Sequence, residues 1–194
     1  MKQTQQLNGH TLIRMRRCNM TVRYRFLEEK IKQNNYKVGV EIGVQKGATF
    51  KHLLNTCKDL ELYGVDIWSL KGVRWDGTTS ADLQNDTESI NYGYYINLRK
   101  WIEKTAKGRG HLIRKFSLDG AKDFEDDSLD FIFIDATHTY EQVLEDMHAW
   151  IPKVRKGGLI CGDDYNKKFP GVEQAVKEYG HPFEVDQPVW WWIK

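Results

Sequence analysis

Two apolar runs, Leu129 to Asp135 and Leu159 to Gly162 with Asp163-Asp164 after it, flank one amphipathic segment and constrain the fold more than any other stretch of the 194 residues. Between them Tyr140, Val143, Leu144, Met147, Trp150 and Ile151 recur at the spacing of a single helix face. Runs that are apolar throughout read as strands buried on both faces, and a helix joining two such strands is the crossover of a parallel pair. As neighbours, the two strands bring Asp135, Asp163 and Asp164 to one edge of a sheet. That is the edge at which open α/β sheets bind ligands.

The chain repeats this alternation. From Thr21, a candidate N-cap, Tyr24, Leu27 and Ile31 form a helical stripe that stops at Asn34-Asn35, so residues 1–36 read as an N-terminal extension with a lead-in helix. Val38 to Ile42 predicts a buried strand, and a helix from Gly47 carries Phe50, Leu53, Leu54 and Cys57 on one face. Glu61 to Asp66 is a second strand, completing a βαβ unit. Residues 67–92 are polar and turn-rich, with Trp68 and Trp75 among them, and read as a lid-like insertion. A helix through Tyr94, Leu98, Trp101 and Ile102 follows, then a strand from His111 to Phe116. A turn at Gly157-Gly158 opens the run ending at Gly162, and a helical stripe of Val172, Ala175, Val176 and Tyr179 precedes a hairpin through Gln187-Pro188. Residues 37–194 therefore form one α/β domain with a mostly parallel sheet, helices on both faces and a closing antiparallel hairpin.

Composition narrows the class. Hydrophobic residues at 40% and charged residues at 29% are those of a globular protein, and no run approaches a membrane span. Cys18, Cys57 and Cys161 form no C-x-x-C pair, which points to a reducing, cytoplasmic setting rather than a disulfide framework. A net charge of +2 is nearly neutral, and the basic cluster Arg14, Arg16, Arg17, Arg23 and Arg25 reads as a solvated face, with a nucleic-acid surface as the alternative. The residues leave assembly into a homo-oligomer open.

The strand ends carry the chemistry. In Glu41-Ile42-Gly43-Val44-Gln45-Lys46-Gly47 the glycines let a ligand approach the backbone at a helix start, and Glu41 favours a cationic or hydroxyl-bearing ligand over a pyrophosphate. Asp66 lies where a carboxylate receives a ribose diol, or caps the loop that follows. Asp135, Asp163 and Asp164 repel one another unless protonated or bridged by a cation, and oxygen ligands suit Mg²⁺, Ca²⁺ or Mn²⁺. His138, three residues beyond Asp135, either serves as a general base or caps the helix. Trp190 to Trp192 read as hairpin packing.

Over roughly residues 37–194 the chain resembles the class I S-adenosylmethionine-dependent methyltransferases, with their Rossmann-like seven-stranded sheet. The loop EIGVQKG looks like their motif E/D-x-G-x-G-x-G, with Gln45 at the middle glycine, and FIFIDATHTYEQVLEDMHAWIPKVRKGGLICGDDY is similar to a branch of small, metal-dependent O-methyltransferases of the macrocin and catechol type. The resemblance implies cofactor binding by Glu41, Gly43, Gln45, Gly47, Asp66, Ile67 and Asp135, with Ser117 at the adenine and Leu118 flanking the ring. It implies Mg²⁺ or another hard divalent metal on Asp135, Asp163 and Asp164, and His138 at the position of a catalytic base, beside Thr137 where related sequences often carry aspartate. The implied reaction is methylation of a small hydroxyl acceptor, a sugar or a phenol, with Trp68, Trp75 and Tyr92 as pocket candidates. Membrane partners are not expected. A nucleic-acid or protein acceptor, or a cofactor-binding protein without catalysis, is the alternative.

Overall fold

The computed structural model describes residues 11–13, 21–69, 71 and 87–194. In chain order the elements are β1 (Thr11–Ile13), α1 (Thr21–Asn34), β2 (Val38–Ile42), α2 (Ala48–Thr56), β3 (Glu61–Asp66), α3 (Glu88–Thr105) and β4 (Gly110–Arg114). There follow α4 (Ser117–Gly120), β5 (Leu129–Ile134), α5 (Tyr140–Trp150), β6 (Val154–Gly162), α6 (Pro170–Glu178), β7 (Phe183–Asp186) and β8 (Val189–Ile193). The strands form one sheet in the order β1-β7-β8-β6-β5-β2-β3-β4. β8 runs antiparallel to both β6 and β7, and all other pairs are parallel.

The alternation within β5 shows why the apolar runs are strands. Phe131 and Phe133 enter the layer under α1, α2 and α3, with Leu27, Phe50, Leu54 and Leu98. Ile132 and Ile134 enter the opposite layer, with Val143, Met147 and Trp150 of α5 and Val172 and Val176 of α6. Both faces are buried, and each such side chain contributes roughly 1.5–3 kcal/mol. Trp190 and Trp192 are buried in the α5/α6 layer, in keeping with hairpin packing.

The seven expected strands are present, and β1 adds a short eighth at the edge, outside β7. Three other boundaries move. β6 starts at Val154, so Gly157-Gly158 is not a turn before the strand but an irregularity inside it: Leu129 pairs with Val154 and Phe131 with Leu159. α3 starts at Glu88, where the Thr87 hydroxyl accepts the Ile90 N–H, so the helix begins within the stretch 67–92. β4 ends at Arg114 rather than Phe116. Residues 70 and 72–86, with Trp75, lie outside the described residues, as do Cys18, Arg14, Arg16 and Arg17.

β2 pairs with β3 on one side and β5 on the other, so chain direction across the sheet reverses between β2 and β5. At that switch point the carboxyl ends of adjacent strands open a crevice.

Candidate active site

The loop after β2 is fastened to the sheet by backbone. The Gly43 N–H donates to the Val65 carbonyl at 2.9 Å, and Gly43 has φ +86°. A Cβ there would lie 2.2 Å from the Asp135 carbonyl oxygen, so only glycine lets this loop lie against the end of β5. Gly47, at φ +73°, closes the loop and starts α2. Between them Gln45 takes φ +48°, the left-handed region, which costs a non-glycine residue roughly 1–2 kcal/mol. Asp66 and Trp68 hold it there. Asp66 Oδ2 accepts the N–H groups of Val44 (2.9 Å) and Gln45 (2.8 Å), Asp66 Oδ1 accepts the Trp68 N–H, and the Trp68 indole donates to the Gln45 carbonyl at 2.9 Å. Trp68, 1% exposed, thus serves as a buried brace of this loop.

Asp135, His138, Asp163 and Asp164 meet beyond β5 and β6. Backbone bonds place them: the Asp135 N–H donates to Ile42 and the Asp163 N–H to Ile134. Asp164 has φ +60°, in the left-handed region that a non-glycine residue rarely adopts. His138 Nε2 lies 2.7 Å from Asp164 Oδ2, and its ring stacks on Phe169 at 4.1 Å between centroids. Asp135, His138 and Asp164 each offer one ligand atom, all within 4.8 Å of one another, so these residues fit a divalent ion.

Asp163 faces another partner. Arg23 Nη1 lies 2.5 Å from Asp163 Oδ2 and 3.1 Å from Asp135 Oδ2. The solvated-face reading of Arg23 is therefore corrected. Arg23, Leu27 and Ile31 recur every four residues on α1, and the face that buries Leu27 and Ile31 carries Arg23 to the end of the sheet. That stripe was visible in the sequence, but an arginine on it reads as the helix surface until the sheet is in place. Burial drives the Asp135 carboxyl well above its ordinary pKa, Asp163 adds to the rise, and Arg23 opposes it. Asp163 is also raised by burial, against the pull of Arg23. Glu41, 2% exposed, is raised by burial in the same way, and its Oε2 has no hydrogen-bond partner.

The far end of the crevice follows β3 and β4. Ile67, Arg114 and Phe116 line an open groove there, and Leu118 is exposed beside it. The Ser117 hydroxyl turns inward instead, donating to Asp146 Oδ1 and accepting the Trp150 indole N–H at 2.8 Å. A contact from Ser117 to a ligand in the groove therefore falls to its backbone. Asp146 is buried, and that burial raises its pKa to about 7 against the pull of Ser117. Because the folded value exceeds the unfolded one, this stability is fully present below about pH 4 and is lost as pH rises through about 7. Its size is on the order of 4 kcal/mol. Asp146→Asn keeps an acceptor for Ser117 without the charge. In denaturant melts it should match the parent near pH 4 and exceed it at pH 8.

Residues 40–165 match the family model described as "Methyltransferase domain". An uncharacterized protein of Acanthamoeba polyphaga mimivirus is 27% identical over 145 residues, covering 72% of this chain and 57% of that protein, so the chain spans little more than half of this relative. Among solved structures, the O-methyltransferase NovP superposes with TM-score 0.63 at 21% identity, covering 89% of this chain and 78% of NovP. CalS11, a TDP-rhamnose 3'-O-methyltransferase of calicheamicin biosynthesis, gives 0.61 at 14%, covering 87% and 77%. Spermidine synthase from Thermotoga maritima gives 0.55 at 13%, covering 89% and 58%, so this fold alone does not choose an acceptor. With the matched segment running from β2 through both acidic strand ends, the chain belongs to the methyltransferase-domain family.

Proposed function

We propose that the enzyme methylates a hydroxyl oxygen of a small acceptor, a sugar or a phenol, at the edge formed by Asp135, His138 and Asp164. The observation that carries this reading is the convergence of His138 Nε2 with two carboxylates beyond β5 and β6, one strand from the glycine loop. S-adenosylmethionine supplies the electrophilic methyl group. Glu41 offers a negative charge to its cationic methionyl end, the amides and glycines of residues 43–47 line its path, and Asp66 faces the ribose. Ile67 and Leu118 border the adenine end, with the Ser117 backbone beside them.

With S-adenosylmethionine bound, in-line attack by the acceptor oxygen would form a carbon–oxygen bond as the carbon–sulfur bond breaks, the electron pair staying on sulfur. The acceptor proton would pass to the His138 imidazole at Nδ1, while Nε2 stays engaged with Asp164 Oδ2 and the ring stays stacked on Phe169. Positioning of nucleophile and methyl in one crevice provides much of the rate. A divalent ion, Mg²⁺ or one like it, on the acidic edge would lower the pKa of the acceptor hydroxyl and orient its oxygen.

One observation favours a small acceptor over nucleic acid. Arg23, from the basic segment, is spent on the site's own carboxylates. Among the described residues no helix is long and apolar enough to cross a membrane. The test is a panel of sugars, phenols, oligonucleotides and peptides with methyl-labelled cofactor, run with Mg²⁺ and with chelator. Label in an acid-stable ether of a sugar or phenol, lost with chelator, is the expected result. Label only in oligonucleotide or peptide would overturn the small-acceptor reading, and no transfer to any acceptor would favour a protein that binds the cofactor without catalysis.

A further inference from the structure

The acidic edge contains a cation of its own, and that cation occupies ground an ion would need. Arg23 Nη1 bridges Asp135 Oδ2 and Asp163 Oδ2. The bridge leaves three buried polar atoms without partners: Asp163 Oδ1, Glu41 Oε2 and Arg23 Nε. Asp163 is 5% exposed, and with Asp135 and His138 it lines a space of about 10 Å³, the size of one water or one ion. Two orphaned carboxylate oxygens ask for positive charge. The orphaned Nε shows that the guanidinium takes this pose for the sake of the carboxylates and not for its own full set of bonds.

We propose that Arg23 is a placeholder cation, which neutralises Asp135 and Asp163 until a divalent ion displaces its guanidinium from both. The inference rests on the reading above that this edge takes a divalent ion. A guanidinium and a divalent ion a few ångströms apart repel strongly in a site of low effective dielectric, so the two exclude each other at Asp135. With Arg23 in place, Asp135 and Asp163 are both engaged, and of the group Asp135, His138 and Asp164 only His138 and Asp164 stand outside its bridge. When Arg23 leaves, Asp163 can join Asp135 and Asp164 as a third oxygen ligand. His138 is then free for the acceptor proton, which removes the conflict between its two roles. Phe26, Leu27 and Ile31 anchor α1 in the core, so the exchange is a side-chain movement. The Arg23 side chain, 27% exposed, already borders solvent.

Mn²⁺ binding to the full chain, followed by calorimetry and by the electron-spin signal of the free ion, compares the parent with Arg23→Gln. The expected result is at least tenfold tighter binding by Arg23→Gln. In the parent, labelled with ¹⁵N-arginine, the Arg23 Nε–H signal is identified by its absence from the variant. That signal should be protected from exchange without ion and lose protection at saturating Mg²⁺. Equal affinities, or a signal that stays protected at saturation, would overturn the placeholder while leaving ion binding intact. No binding to either protein would overturn the ion reading and the placeholder with it. Should Arg23→Gln fail to fold, the parent's signal decides, assigned instead through Arg23→Lys.

Discussion

Gly43→Ala should lower the unfolding free energy by about 3 kcal/mol or more and abolish measurable cofactor binding. Two costs add. Alanine at φ +86° enters the left-handed region, a penalty of roughly 1–2 kcal/mol. Its Cβ would also lie 2.2 Å from the Asp135 carbonyl oxygen and 2.5 Å from the Ala136 Cα, and backbone cannot swing aside as a side chain can. Relief requires separating the loop from β5, which moves Glu41 and Asp135 apart at the switch point. Gly93 provides the control: it lies in α3, and a methyl added there would meet nothing within 4 Å, so Gly93→Ala should stabilise by roughly 0.5–1 kcal/mol. Urea unfolding of the two variants checks both signs at once. Parent-like stability for Gly43→Ala would mean that the loop does not need its contact with β5.

The second large effect is on catalysis. His138→Gln should reduce kcat by about 10²- to 10⁴-fold, the usual contribution of a positioned general base. Cofactor affinity should stay within about twofold, because the proposed role puts the ring on the acceptor's side, and its contacts are with Phe169 and Asp164 rather than with the glycine loop. Glutamine can still hydrogen-bond to Asp164, so the change isolates proton transfer from the architecture. An unchanged kcat would remove His138 from the chemistry and leave it as a packing residue at the start of α5.

Much of the fold could be read along the chain because its strands are short and buried. The period within residues 129–135, the stripe from Tyr140 to Ile151 and the glycines that punctuate the helices are local patterns, and local patterns survive without tertiary information. Boundaries were less secure. β6 runs through Gly157-Gly158 because its pairing with β5 tolerates an irregularity there, and α3 begins earlier than its apolar stripe because Thr87 caps it. The strand Thr11–Ile13 has no periodicity of its own; it exists through its pairing with β7.

At the site the same division holds. By itself the sequence determined that acids end β3, β5 and β6, that a glycine loop follows β2, and that a histidine stands three residues beyond Asp135, because each is a matter of spacing along one strand or turn. Only the tertiary structure decided which charges meet. Arg23 lies 112 residues from Asp135 and 140 from Asp163, and nothing in its neighbourhood announces a carboxylate partner. The inward turn of Ser117 toward Asp146 depends likewise on how α5 lies across α4. Charge pairing across such separations is set by packing, since burial makes an unpaired carboxylate costly and selects whichever cation the fold brings within reach.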